Sequence, residues 1–274
     1  MPEKVKAWWL VSLFVGGALL IGWAATVLVF AVISFIALRE YATLVPTRRE
    51  DRPVVLFVYA AIPISYGAVA LDLYGYFLVI VPIYIFVGTA SLMALIGRTD
   101  GFLATAGGLT WGMLICMFNI GHAAFLIRTP AAEAGPAGPA GLVFFLIAMT
   151  ILADAAQAAG TRFFGRTPLS ARLGADRTVE GLVLSIAVTG TAFTALSAFY
   201  TPLTLGPAAF IGFLLPVWAV MGSLVMAAVK RELGVASSSN LLPGYGGALD
   251  RIASLSFTAP WVFHMLAIFA LDHF

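Results

Sequence analysis

Lys230 and Arg231, the turn Pro243-Gly244-Tyr245-Gly246-Gly247 and the pair Asp250-Arg251 all fall within one stretch, KRELGVASSSNLLPGYGGALDRIAS, residues 230–254. Two cations, a glycine turn and a carboxylate beside a guanidinium are the parts of a phosphate site. Glycine accepts the positive φ of a backbone nest and leaves no side chain in the way, so Gly244, Gly246 and Gly247 let N–H groups approach an anion. Asp250 offers a hard oxygen ligand to a metal, and Arg251 a forked donor to phosphate. Lys230 and Arg231 also suit a helix end on dipole grounds alone, so it is the grouping that points to chemistry.

Asp154 is a second candidate. It follows the apolar run FFLIAMTILA and is expected about one turn inside the membrane edge, where an ionisable group costs about 2.5–3.5 kcal/mol unless it meets a polar cavity or partner. A helix-end carboxylate snorkelling to water is the plainer reading. Gln157 shares its helical face and would either bind the same polar object or join helices. The next segment, residues 160–181, carries Arg162, Arg166, Arg172 and Arg177. Thr178 and Glu180 end it, and they are expected to open a helix whose N–H groups face an anion. His122 and His264 lie in apolar runs and read as interior, hydrogen-bonded histidines.

These residues need a scaffold, and the composition defines it. Of 274 residues, 61% are hydrophobic and 10% charged, with a mean hydropathy of +1.01. The apolar runs reach the roughly 20 residues that a helix needs to cross a bilayer, and they lack the alternation of a barrel. The expected fold is an all-α integral membrane protein, a polytopic helical bundle of eight or nine transmembrane helices. Spans are expected near 54–71, 75–97, 105–127, 142–159, 182–200, 206–229 and 255–271. The run 7–38 is too long for one upright helix, and Gly16-Gly17 and Gly22 suggest two short spans, with a single tilted helix as the alternative.

Arg39 to Pro53 carries four arginines. It falls on the same side as Arg98-Asp100, 160–181 and 230–254, which the positive-inside rule makes the cytoplasm. Thr129 to Gly141, rich in Pro, Gly and Ala, is expected to be a flexible external loop. The organisation is a membrane segment with a basic loop over 1–53, and a helical domain over 54–274 carrying the site loops. Cys116 is the single cysteine, which excludes a disulfide framework, and a net charge of +2 implies no nucleic-acid partner. The first apolar run lacks a small-residue cleavage site and is expected to be retained.

The 230–254 stretch resembles the signature of the phosphatidate cytidylyltransferases (CDP-diacylglycerol synthases): Ser-x-x-Lys-Arg, four residues, Lys-Asp, then Pro-Gly-His-Gly-Gly-x-x-Asp-Arg-x-Asp. Upstream, DAAQAAGTRFFGRTPLSARLGADRTVEG is similar to that family's second motif, with Asp154, Gly165, Arg166, Thr178, Glu180 and Gly181 in register. The segments LREYATLVPTRREDR and SLSFTAPWVFH look like one bacterial branch. The resemblance implies transfer of CMP from CTP to phosphatidic acid with release of pyrophosphate. It also implies Mg2+ as cofactor and a bacterial inner membrane with the site on the cytoplasmic face, and it leaves room for a homodimer. Carried over by position, Lys230, Arg231, Asp250 and Arg251 are catalytic, and Asp250 and Asp154 hold the metal. Asp154, Gln157, Arg166, Arg177, Thr178, Glu180, Gly244, Gly246 and Gly247 bind substrate.

Several signature positions differ. Ala227 stands for the serine, Ala236-Ser237 for Lys-Asp, Tyr245 for the histidine and Ala253 for the closing aspartate; upstream, Gly174-Ala175 replaces Ser-Pro and Arg177 the lysine. Ser223, one turn before Ala227, would supply the hydroxyl of the missing serine only after a helix shift. Magnesium needs only one or two carboxylates beside substrate phosphates. Two hypotheses therefore stand together, an active nucleotidyltransferase and a non-catalytic membrane partner that kept the lipid or nucleotide pocket.

Overall fold

The computed structural model describes residues 14–234 and 248–271, with the side chains of residues 174–176, 248, 250 and 251 outside that description. Among the described residues, eight helices are long and apolar enough to cross a membrane. In hydrocarbon every backbone polar group must be paired within its own segment, which is why long apolar runs become helices. The protein is an all-α, multi-pass membrane protein. It divides into two compact units, residues 1–128 with 237–252, and residues 129–236 with 253–274.

In the first unit, residues 14–21 are helical and stop at Gly22, whose φ of 132° is open to glycine. α1 (Trp23–Ala42) follows. The break in the first apolar run thus falls at Gly22, while Gly16 and Gly17 lie inside a helix. α1 is about 30 Å long by helical rise and is a full span rather than a short one. It also keeps Arg39 and Glu40 helical, so the first four residues of the polar segment continue the helix. α2 (Arg52–Ala70) has Pro53 in its first turn, where a missing N–H costs nothing.

α3 (Tyr74–Leu95) and α4 (Phe102–Arg128) complete this unit's spans. Each contains a π-helical turn, Ile80–Ile85 and Leu114–Phe118. Pro82 lies in the first of them, and a wider turn relieves the clash and lost bond that proline brings to a helix. In the apolar 18-residue window of each helix, 78% of α4 is buried and only 22% of α3, so α4 is the core helix of this unit. Leu109, Met113, Met117, Ile120 and Phe125 of α4 are fully buried. Phe77 stacks on Phe118 at 5.0 Å, with the edge of His122 against both. His122 is the interior histidine expected, its Nδ1–H donating to the Phe118 carbonyl at 3.0 Å.

The turn between α3 and α4 holds a buried ion pair. Arg98 Nε lies 3.3 Å from Oδ1 of Asp51, and the two side chains are only 5% and 0% exposed. Oδ2 of Asp51 accepts the Arg48 N–H at 2.7 Å, and the Thr105 hydroxyl donates to the Pro46 carbonyl at 3.0 Å. Two loops are thereby locked to each other.

The second unit begins at Thr129. Thr129 to Gly141 is not a slack loop: Thr129 and Ala134 are buried. A Cβ at Gly135 would stand 2.6 Å from the Thr201 carbonyl carbon. Small residues here permit close packing. Next come α5 (Gly138–Phe164), an antiparallel hairpin of β1 (Pro168–Ser170) and β2 (Gly174–Thr178), α6 (Val179–Tyr200) and α7 (Leu205–Glu232). The hairpin pairs Pro168 with Thr178 and Ser170 with Gly174, with an irregularity between. It lies within the loop expected over 160–181, whose two ends are helical. α8 (Ala248–Phe269) closes the chain. α5 and α6 meet at Gly160 and Gly181, where a Cβ on Gly160 would lie 2.7 Å from the Gly181 Cα, the small-residue approach that packs membrane helices.

Candidate functional site

The hairpin between α5 and α6 is held by polar groups that the upstream motif contains. Thr178 is the N-cap of α6, its hydroxyl accepting the Gly181 N–H at 3.2 Å. Gln157, fully buried, donates from Nε2 to the Thr178 carbonyl at 3.1 Å, and Thr161 Oγ1 lies 3.1 Å from Thr178 Oγ1. Glu180 accepts the backbone N–H groups of Arg166 at 3.0 Å and Thr167 at 3.1 Å. The helix opens where expected. Its first-turn donors, however, are engaged within the chain: Val179 N–H goes to the Thr167 carbonyl at 2.9 Å, and Gly181 to Thr178. This end therefore builds the hairpin before it can meet any anion. Thr178→Ala is expected to cost about 1 kcal/mol of stability, and Thr178→Ser much less, in chemical denaturation in mixed micelles. Equal losses for both would mean that the methyl, not the cap, matters.

β2 is also tied to α7. Arg177 donates from Nε to the Ser223 hydroxyl at 3.0 Å, and Ser223 in turn donates to the Val220 carbonyl at 2.9 Å. Ser223, one turn before the position where the family signature has its serine, is thus the partner of Arg177. The link brings the hairpin to the C-terminal half of α7, whose last turn carries Lys230 and Arg231. Cations at that end complement the helix dipole.

A polar ladder joins α5 to α8 within the second unit. Ser254 donates its hydroxyl to Oδ1 of Asp154 at 2.8 Å. One turn along each helix, Thr150 Oγ1 and Thr258 Oγ1 lie 2.8 Å apart. The register is that of antiparallel helices, i − 4 on one meeting j + 4 on the other. Ser185 of α6 donates to the Ala153 carbonyl at 2.7 Å. α5 runs to Phe164 rather than to 159, so Asp154 stands about 15 Å from the helix end. Ser254 is only 4% exposed, and the sequence reading missed it. A hydroxyl four positions after Asp250 on one helical face is a signal that existed.

Not all candidates are brought together. Gly244, Gly246 and Gly247 lie outside the described residues, as do Ala236, Ser237 and Tyr245. Asp250 and Arg251 are helical, in the first turn of α8, rather than in a loop. Arg166 and Arg231 are exposed and Lys230 half-buried. Among the described residues, no three His, Cys, Asp or Glu side chains form a group that could hold a metal ion.

The fold and this region define a multi-pass helical membrane protein whose second unit pairs a carboxylate–hydroxyl ladder with basic side chains on the hairpin and α7. The model of the cytidylyltransferase family matches residues 3–269, and the chain belongs to that family. It is similar to the uncharacterized protein YnbB of Escherichia coli (strain K12), 34% identical over 96% of this chain and 86% of that protein. It is also similar to the phosphatidate cytidylyltransferases of Mycobacterium leprae, 34% identical over 48% of this chain and 43% of that enzyme, and of Synechocystis, 33% identical over 47% and 45%. The match to each of these two named enzymes spans less than half of the enzyme's length.

Proposed function

We propose that this protein transfers the cytidylyl group of CTP to the phosphate of phosphatidic acid, giving CDP-diacylglycerol and pyrophosphate in phospholipid biosynthesis, on the cytoplasmic face of a bacterial inner membrane. The observation that carries the reading is Asp154, a half-buried carboxylate well inside a membrane helix, oriented by the Ser254 hydroxyl. An ionisable group inside an apolar membrane helix is costly and is kept where it serves a polar ligand; family membership supplies the class of ligand.

In the reaction a phosphate oxygen of the lipid attacks the α-phosphorus of CTP. A new P–O bond forms, the α–β anhydride bond breaks, and its electron pair leaves with pyrophosphate. Little proton transfer is needed, so catalysis rests on positioning and charge. Lys230, Arg231 and Arg251 neutralise the reacting phosphates, Arg166 and Arg177 take further phosphate oxygens, and the backbone at Gly244, Gly246 and Gly247 cradles the nucleotide. Gln157, Thr178 and Glu180 hold the hairpin that presents the two upstream arginines. Asp154 is a hard oxygen donor and fits magnesium, which is satisfied by one or two carboxylates with phosphates and water. By the motif, Asp250 is the second ligand. Magnesium bound there would offset the triphosphate charge.

A second reading, a membrane partner that binds lipid or nucleotide without turnover, is favoured by Ala253. It is buried and stands where the family signature has its closing aspartate, so a methyl group takes the place of that carboxylate. One assay separates the two. Purified protein given radiolabelled CTP, phosphatidic acid and magnesium is expected to form labelled CDP-lipid, and Asp250→Asn to form none. CTP binding without product under any divalent cation would establish the partner instead.

A further inference from the structure

We propose that Glu40 is a positioning residue for the Asp250-Arg251 pair, acting from α1 on the first turn of α8. Glu40 is 4% exposed and stands at the C-terminal end of α1, where a buried carboxylate is costly unless hydrogen-bonded. Its Oε2 accepts the backbone N–H of Leu249 at 3.0 Å, across 209 residues of chain and within one compact unit. Leu249 is the second residue of α8, so its N–H is one of the four that no helical carbonyl satisfies. Negative charge is also favoured at that end of the helix dipole. The Leu249 N–H gains an acceptor and Glu40 a donor.

The consequence is positional. A neighbour in sequence usually caps a helix, but here a carboxylate on a distant helix sets where α8 begins and how its first turn is rotated. The next two residues are Asp250 and Arg251. Misplacing a reacting group by about 1 Å costs roughly 100-fold in rate, so a remote cap on this turn bears directly on the chemistry. The contact stands without the cytidylyltransferase reading; its effect on CTP rests on that reading. The sequence held the signal: an acid ending the run FAVISFIALRE is as costly at a membrane edge as Asp154, and asks for a partner in the same way.

The test compares wild type, Glu40→Ala and Glu40→Gln in detergent by amide hydrogen exchange over residues 248–252, by CTP affinity and by unfolding midpoint. Glu40→Ala is expected to speed exchange at Leu249 and to weaken CTP binding, each by about tenfold. Glu40→Gln, whose amide oxygen still accepts, restores most of both. Combined with Asp250→Asn, Glu40→Ala adds less to the loss of CTP affinity than it does alone, as coupled positions do. Unchanged exchange at 248–252 in Glu40→Ala overturns the proposal. So does a lower unfolding midpoint with CTP affinity intact, which makes Glu40 a residue of stability only. A wild type that binds no CTP defeats the cytidylyltransferase reading by itself, and the exchange data then decide alone whether Glu40 holds this turn.

Discussion

Asp154→Asn is expected to lower cytidylyl transfer by about 100- to 1,000-fold while leaving the protein as stable as the wild type or more so. Asparagine keeps the size of the side chain and an oxygen that accepts the Ser254 hydroxyl, so the 2.8 Å contact between α5 and α8 survives. The substitution removes the carboxylate charge. In a membrane helix that charge opposes folding, because it is taken out of water; toward a metal-bound triphosphate it is an attraction. Stability and activity should therefore move in opposite directions. Ser254→Ala keeps the charge but frees its orientation, and a drop of about 10- to 100-fold is expected, the usual scale for a group that orients a ligand. Initial rates with labelled CTP, beside unfolding in mixed micelles, decide the matter. If Asp154→Asn loses stability and keeps its rate, Asp154 is a link between helices and not part of the site.

The largest effect on stability should come from the first unit. Asp51→Ala is expected to cost about 3–5 kcal/mol, because it leaves the Arg98 guanidinium buried and uncompensated. The double replacement Asp51→Leu with Arg98→Met should cost far less than Asp51→Ala, since burying both charges was itself expensive and apolar side chains of similar size fill the same space. The side chains are 0% and 5% exposed at 3.3 Å, which separates this pair from Arg48–Asp100, at 3.8 Å with both partners more than half exposed. An exposed pair of that kind is worth about 0–1 kcal/mol. A loss of that size for Asp51→Ala, measured by chemical denaturation, would show that water reaches the Arg98 guanidinium in solution.

Much of the scaffold was legible. The spans follow the apolar runs, Thr178 caps α6, Lys230 and Arg231 end α7, and His122 and His264 turn their Nδ1 atoms to carbonyls one turn back. Each of these depends on residues within a turn or two of each other. The failures were of another kind. Thr129 to Gly141 has the composition of a flexible linker, and composition does not say that the Thr201–Pro202 backbone lies against it. The first-turn donors of α6 looked open to an anion until the fold returned Thr167 to one of them. Arg98 looked like a loop arginine, and burial came from a loop more than 40 residues earlier.

By itself, then, the sequence determined that the chain is a multi-pass helical membrane protein of the cytidylyltransferase family, and where along it the polar motifs fall. Hydrophobic transfer adds residue by residue along a run, so it can be read from the order of residues alone. Tertiary structure decided which polar groups meet: Ser254 with Asp154 across 100 residues, Leu249 with Glu40 across 209, and Arg177 with Ser223 across 46. A hydrogen bond needs its partners within about 3 Å and in line. Distance and direction of that kind exist only once the helices have packed.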